Sequence, residues 1–385
     1  MTAISPPEFE IDIPNRDLAQ WHTHAEFLSQ PGLWQLWGVD LSHKISSIHA
    51  WLHVRDHTEV YFCGAGTSAF IGETLARSLN RIPSTCRFIA LPSTDLVSQP
   101  HHFLHAREKS LFVSFGRSGN SPESIGTLDA LDQLAPHADR FHIFCNPEGA
   151  LAQRSVPGPG QLLSLALPPQ THDKGFAMTS SFSTMLLTAL ASFDPRSGAD
   201  ISKLFSRLAK AGADIVTALP SSTENLRKEL PERVVFLGSG PLIGVARESA
   251  LKILELTAGQ IATMWETALG FRHGPKSFVN TDTQIFMFIS ADRLTRQYEL
   301  DLLEELRSQF GKSRVFTIGP ASMTCDIAIA AIEDDAWSAV LYVLLAQYLA
   351  IHWSHSLKLN VDNPFSNGHL TRVVQGVRLH PIQEV

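Results

Sequence analysis

Three residues in the second half of the chain have the types and spacing needed to move protons. Glu248, Lys252 and Glu255 recur at i, i+4 and i+7 within an apolar run containing Ala246, Ala250, Leu251, Ile253, Leu254 and Leu256. On a helix they share one face. A lysine between two carboxylates on a half-buried face shifts their proton affinity in either direction, depending on burial and pairing. Such a carboxylate can carry a proton between adjacent carbons, the step aldose–ketose interconversion requires, with a further acid or base to open the sugar ring. His273, in Gly270-Phe-Arg-His-Gly-Pro-Lys276, is a candidate for that second role because imidazole titrates near neutrality. The Glu–Lys spacing equally describes an exposed helix pair, and with 17 histidines in the chain an arbitrary one is usually structural. His22, His24, His101, His102 and His105 read as surface or loop residues. No carboxylate motif joins them at metal-ligand spacing, so no metal is expected.

A second group of residues suits an anion. Gly64-Ala-Gly-Thr-Ser68 and Gly116-Arg-Ser-Gly-Asn-Ser121 each follow a short apolar run and precede a helical pattern. Gly116 and Gly119 let the backbone approach a ligand, Ser118 and Ser121 add hydroxyls, and Arg117 adds one cation. Ser121 followed by Pro122 reads as an N-cap with proline at the first helical position. Amides and hydroxyls at helix N-termini suit a sugar phosphate better than a nucleotide. The dinucleotide pattern fails because Ala69 stands three residues after Gly66, and no G-x-x-x-x-G-K-[ST] is present. Tight strand-to-helix turns would use the same glycines and serines. At the position matching Ser118, however, the second half has Asp292 in Asp292-Arg-Leu-Thr295, and a carboxylate repels phosphate. Phosphate is therefore expected on the first half.

The elements that must position these groups come from a repeat. Val60-Tyr-Phe-Cys-Gly-Ala-Gly66 aligns with Val234-Val-Phe-Leu-Gly-Ser-Gly240 at an offset of 174 residues. Leu111–Phe115 aligns with Ile285–Ile289, and Phe141–Cys145 with Val315–Gly319, at the same offset. The runs are short, rich in Val, Ile and Phe, and bounded by turn residues, as buried parallel strands are. Helical patterns follow at 70–78, 122–134, 179–193, 242–257, 297–309 and 337–353. Each half is thus expected to be a doubly wound parallel α/β sheet of flavodoxin-like or Rossmann-like type. The expected organisation is a helical N-terminal extension at 1–40, a first domain at 41–215 and a second at 216–385. The polar stretch 219–231 joins the two domains, and Trp21, Trp34 and Trp37 are free to pack on a domain or a partner.

Composition narrows the class. Hydrophobic residues at 44% with 18% charged indicate a folded globular chain, and 385 residues suit two domains. The net charge of −7 argues against a nucleic-acid binder. Cys63, Cys86, Cys145 and Cys325 form no C-x-x-C, so neither a disulfide framework nor a zinc ribbon is expected. The stretch 336–353 is apolar enough to raise the question of a membrane span, but Ser338 and Gln347 interrupt it and a buried core helix is expected. The first 15 residues lack the charged-then-apolar pattern of a secretory signal, which points to a reducing cytoplasm.

Longer blocks carry a resemblance. They are Gly64-Ala-Gly-Thr-Ser-Ala-Phe-Ile-Gly72, Ser114-Phe-Gly-Arg-Ser-Gly-Asn-Ser-Pro-Glu-Ser124, Gly175-Phe-Ala-Met-Thr-Ser-Ser181, Ala246-Arg-Glu-Ser-Ala-Leu-Lys252, Gly270–Lys276 and Arg372-Val-Val-Gln-Gly376. On them the chain resembles the sugar isomerase (SIS) superfamily, in the two-domain arrangement of the isomerase half of glucosamine-6-phosphate synthase. Within it the chain is most similar to the galactosamine-6-phosphate deaminase family, also known as tagatose-6-phosphate ketose/aldose isomerases. The resemblance implies that Ser68, Ser118 and Ser121 hold the phosphate, that Gly116 and Arg117 line it, and that Thr67 and Thr179 belong to the same binding set. It implies that Glu255 shuttles the C1/C2 proton, with Lys252 near the O1/O2 edge and Glu248 a second acid–base group. His273 matches a ring-opening histidine that reaches into a partner subunit's site, which implies a homodimer.

One departure concerns Arg372, which aligns with the lysine that forms a Schiff base in the synthases. A guanidinium stays protonated and is a poor amine nucleophile, so no imine is expected there. The 385 residues also hold no counterpart of the synthases' glutaminase domain. Both differences imply the degradative direction without a cofactor: galactosamine 6-phosphate to tagatose 6-phosphate and ammonia, in N-acetylgalactosamine catabolism. Two rivals remain at this point. One is an isomerase that leaves nitrogen in place, and the other is a non-catalytic sugar-phosphate sensor.

Overall fold

The computed structural model describes residues 16–81, 83–104, 109–330, 334–366 and 368–383. The apolar runs form two wholly parallel five-stranded sheets. The first holds β1 (Glu59–Gly64), β2 (Arg87–Pro92), β3 (Ser110–Gly116), β4 (Asp139–Phe144) and β5 (Leu162–Ala166), in the order β2-β1-β3-β4-β5. The second holds β6 (Arg233–Leu237), β7 (Ala262–Glu266), β8 (Thr283–Phe288), β9 (Val315–Pro320) and β10 (Ile327–Ile329), in the order β10-β9-β8-β6-β7. Counted from its own first strand, each sheet reads 2-1-3-4-5, the flavodoxin-like order, whose switch point lies between the first and third strands. The strands at each switch point, β1 and β3 in one sheet and β6 and β8 in the other, are buried along their whole length except at Arg233, which explains their largely apolar character.

The pairing registers test the expected alignment. Val60 pairs with Leu111, whereas Val234 pairs with Gln284 and Ile285 with Val235, so the first two runs shift by one residue between the sheets. The third shifts by two. Ile285 pairs with Val315, whereas Leu111 pairs with Asp139, so the counterpart of Val315 is Asp139 and not Phe141. A two-residue slip preserves which face each side chain takes, and so the hydrophobic pattern tolerates it.

Among the described residues, eight helices of thirteen residues or more surround the sheets: α1 (His22–Arg55), α2 (Thr67–Leu79), α3 (Pro122–Leu134), α4 (Ser180–Phe193), α5 (Gly198–Ser222), α6 (Leu242–Leu256), α7 (Arg293–Phe310) and α8 (Asp335–Ser356). The N-terminal extension is part of the main core rather than an appendage. Residues 1–15 of it lie outside the described residues, and the helix that follows continues past Leu41 to Arg55. Trp34 and Trp37 are buried and donate from Nε1 to Ser183 Oγ (3.0 Å) and Thr188 Oγ1 (2.7 Å) on α4. The polar stretch 219–231 contains the end of α5 and a five-residue helix at Glu224–Lys228. The apolar α8 is buried from Asp335 to Ser354, as expected of a core helix, and its start is capped by Asp334, which accepts from the Ala336 and Trp337 amides.

The two halves meet where α2 packs on α6, the helices that follow the first strand of each sheet. The approach is close because residue 244 is glycine. A Cβ there would lie 2.4 Å from Thr74 Oγ1 and 2.7 Å from the Phe70 carbonyl oxygen. Beside it Arg247 stacks between the Phe70 and Trp265 rings and pairs with Glu73 at 2.8 Å. Gly244→Ala is expected to push the helices apart and cost about 1–3 kcal/mol. Urea denaturation checks this, and an unchanged midpoint contradicts the close-approach account.

Candidate active site

At the switch point of the first sheet a cavity of about 560 Å³ opens, within the range of roughly 300–1,000 Å³ typical of small-molecule sites. The loops after β1 and β3 form its floor, α6 of the second half forms one wall, and the tail segment Leu370–Val374 forms a roof. Thr67, Ser68, Gly116, Arg117, Ser118, Ser121, Glu255 and Arg372 all line it, so residues scattered through the sequence converge here.

The loop after β3 is set for an anion. Gly119 has φ +66°, a left-handed conformation that glycine adopts without strain. The Ser118 carbonyl accepts from Asn146 Nδ2 (3.0 Å) and the Gly119 carbonyl from the Leu151 amide (3.0 Å). With the carbonyls drawn away, peptide planarity turns the adjoining amides to the opposite side, where that of Asn120 donates to Ser118 Oγ (3.2 Å). Ser121 caps α3 as expected, accepting from the Ser124 amide at 3.2 Å with Pro122 at the first helical position.

Arg117 and Arg372 border the cavity without offering their guanidinium groups as free cations. Arg117 is buried and donates to the carbonyls of Gly175 (3.3 Å), Phe176 (2.8 Å) and Arg372 (2.8 Å). Arg372 donates to the Gly175 carbonyl (3.1 Å) and to that of Asp173. Both arginines therefore bind the tail to the loop 173–176. Thr179 is absent from the cavity, contrary to expectation. It is fully buried, and its hydroxyl and amide bond Asp173. Asp173 also accepts from Ser180 and Ser181, stabilising the start of α4 as a carboxylate at a helix N-terminus. Sequence reading missed this role because the cap comes from upstream of the residues it caps. Glu26 on α1 accepts from the Lys174 (2.5 Å) and Gly175 (3.3 Å) amides, and burial, with Asp173 nearby, raises its pKa to about 7.

Glu248, Lys252 and Glu255 come together on one face of α6. Lys252 Nζ lies 2.5 Å from Glu255 Oε2, 3.3 Å from Glu248 Oε1 and 3.2 Å from Thr67 Oγ1. Lys252 and Glu248 are fully buried behind the cavity wall, while Glu255 reaches the cavity itself. Burial pushes Glu248 up to about 7, against the pull of Lys252. For Lys252 burial acts downward, but the two carboxylates outweigh it and hold the ammonium charged. With Oε2 tethered, Glu255 can exchange a proton at a fixed position.

His273 is not in the cavity of its own chain. It is exposed, in a loop held by Arg272 and Lys276, both paired with Glu305 on α7. Asp292 corrects a further expectation. It accepts from the Leu294 and Thr295 amides as the N-cap of α7, so its counterpart is the cap Ser121 and not Ser118. Among the other histidines, His22 is exposed, His24 is buried rather than superficial, and His105 lies outside the described residues. Among the described residues no group of three or more His, Cys, Asp or Glu is arranged to hold a metal.

Because the folded pKa of Glu248 is raised, the folded state binds its proton more tightly than the unfolded chain does. The stability this contributes is present below about pH 4.5 and is lost as pH rises to about 7. Urea denaturation across pH 4–8 is expected to show wild type losing stability relative to Glu248→Gln over that window, with a level difference above it. A difference that does not vary with pH contradicts the buried, proton-binding assignment.

No family model matches the chain. Comparison with individual proteins is decisive. The chain is 39% identical to D-galactosamine-6-phosphate deaminase AgaS of Escherichia coli, over 94% of its own length and 96% of the relative's. It is 38% identical to the protein of the same name from Shewanella sp. (strain ANA-3), over 93% and 92%. The solved structure of tagatose-6-phosphate ketose/aldose isomerase from Escherichia coli superimposes with a TM-score of 0.83 at 35% identity, covering 99% of this chain and 100% of that one. The chain belongs to the D-galactosamine-6-phosphate deaminase family of the sugar isomerase superfamily.

Proposed function

We propose that the chain converts D-galactosamine 6-phosphate and water to D-tagatose 6-phosphate and ammonia, as an enzyme of amino-sugar breakdown. The observation that carries this reading is a single cavity joining the Ser118–Ser121 loop of the first sheet to Glu255 of the second half. Phosphate at one end and a tethered carboxylate at the other fit a six-carbon sugar held by C6 with C1 and C2 at the carboxylate. The names of the relatives supply the galacto configuration and the loss of nitrogen.

In the open aldose form, Glu255 removes the proton from C2, giving an enolamine with its hydroxyl at C1. Returning the proton to C1 yields the C2 imine, and water adds to that carbon and expels ammonia to leave the ketose. Lys252, charged and fixed 2.5 Å from Glu255, holds the carboxylate and offsets negative charge that develops toward O1. Glu248, poised near neutrality, can take or return a proton behind Lys252. Ring opening falls to His273 of a second subunit, so the active form is a homodimer. Two halves derived from one ancestral unit fit the shared strand order.

A second reading is kept because of the name of the similar solved structure: ketose/aldose isomerisation in which nitrogen plays no part. The same Glu255 step would serve. Ammonia released from galactosamine 6-phosphate, and not from glucosamine 6-phosphate, is the expected result in a coupled assay. Glu255→Gln is expected to slow it by about 10²-fold or more. If neither sugar yields ammonia while tagatose 6-phosphate is isomerised, the second reading replaces the first.

A further inference from the structure

One wall of the cavity has no assigned role. Thr94, in the six-residue helix Ser93–Ser98, and Glu123, in the first turn of α3, both line it. The two helices touch one turn further on: a Cβ at Gly126 would lie 2.9 Å from Val97 Cγ2. Thr94 stands three residues before Val97 and Glu123 three before Gly126, so each lies on the contacting face of its helix. The hydroxyl and the carboxylate are thereby brought to neighbouring positions on the wall. Glu123 Oε2 is buried, and among the described residues it has no hydrogen-bond partner. A buried acceptor left unpaired is costly, and a ligand hydroxyl would relieve that cost.

Glu123 follows the cap Ser121 by two residues, which sets it beside the loop proposed to hold the phosphate. A carboxylate there would repel the phosphate group itself and accept from a sugar hydroxyl. The hydroxyls on that side are those nearest C6. We propose that Thr94 and Glu123 form a hydroxyl-recognition subsite that reads the C4 configuration of the bound hexosamine phosphate and so sets the preference for galacto over gluco sugars. The inference rests on the placement of phosphate and C1/C2 in the proposed function. It is tested by binding, so that a failure of turnover is a separate result.

The experiment is calorimetric titration of galactosamine 6-phosphate, glucosamine 6-phosphate and inorganic phosphate into Glu255→Gln protein, alone and combined with Thr94→Val, Thr94→Ser or Glu123→Gln. The starting protein is expected to bind the galacto sugar more tightly. Thr94→Val and Glu123→Gln are each expected to weaken galacto binding by about tenfold while glucosamine 6-phosphate changes less than about twofold. Thr94→Ser, which keeps the hydroxyl, should retain the selectivity, and inorganic phosphate should bind all four proteins alike. Equal affinity for the two sugars in the starting protein overturns the proposal. So does a loss shared equally by both sugars, or no loss with either.

Discussion

The account depends on a lysine ammonium buried between two carboxylates. Taking that charge out of water is expensive, and only the surrounding anions and hydroxyl keep it favourable. Lys252 and Glu248 have essentially no solvent exposure; Lys252 bonds Glu255 and Thr67, and Glu248 faces the ammonium at 3.3 Å. Thr67 belongs to the first half and the other three to the second. Satisfying the lysine therefore fixes how α2 and α6 sit together, and the glycine at 244 removes the bulk that would prevent it. The interaction that orients the reactive carboxylate is thus also one that joins the two domains around the cavity.

The two sheets share a strand order, but the loops after β3 and β8 differ in charge. In the first half the loop after β3 turns amides and serine hydroxyls toward the cavity. In the second half the protein's own carboxylates occupy the equivalent donors. Glu299 accepts from the Ser290 amide (2.7 Å) and Asp335 from the Ala291 amide (2.7 Å), while Asp292 caps α7. Burial pushes Glu299 up to about 7 and raises Asp335 as well, as expected for two carboxylates in one dry space. An anion already covalently in place leaves no role for a bound phosphate there. The second half contributes a helix to the first half's site instead.

Much of this was legible in the residues. Strand runs, the helix bearing Glu248, Lys252 and Glu255, and the Ser121-Pro122 cap depend on short-range spacing, and spacing is what a sequence records directly. What was not legible depends on long-range pairing. Arg117 and Arg372 look like anion-binding cations until the carbonyls of residues 173–176 are placed beside them. Thr179 looks like a binding hydroxyl until Asp173 takes it. The alignment of Val315 with Phe141 kept a constant offset, but the sheet register differs by two residues, a shift the hydrophobic alternation cannot reveal. The recognition wall at Thr94 and Glu123 was missed because each residue sits alone in its own helix, and only the packing of the two helices joins them.

The central claim is that Glu255 itself carries the proton between C2 and C1. Its side chain is 23% exposed, enough for a carboxylate proton to exchange with solvent during turnover. Galactosamine 6-phosphate converted in heavy water should therefore give tagatose 6-phosphate with deuterium at C1, read by NMR of the product. Glu255→Gln is expected to slow that incorporation by about 10²-fold or more, and incorporation at the wild-type rate would contradict the role assigned to Glu255.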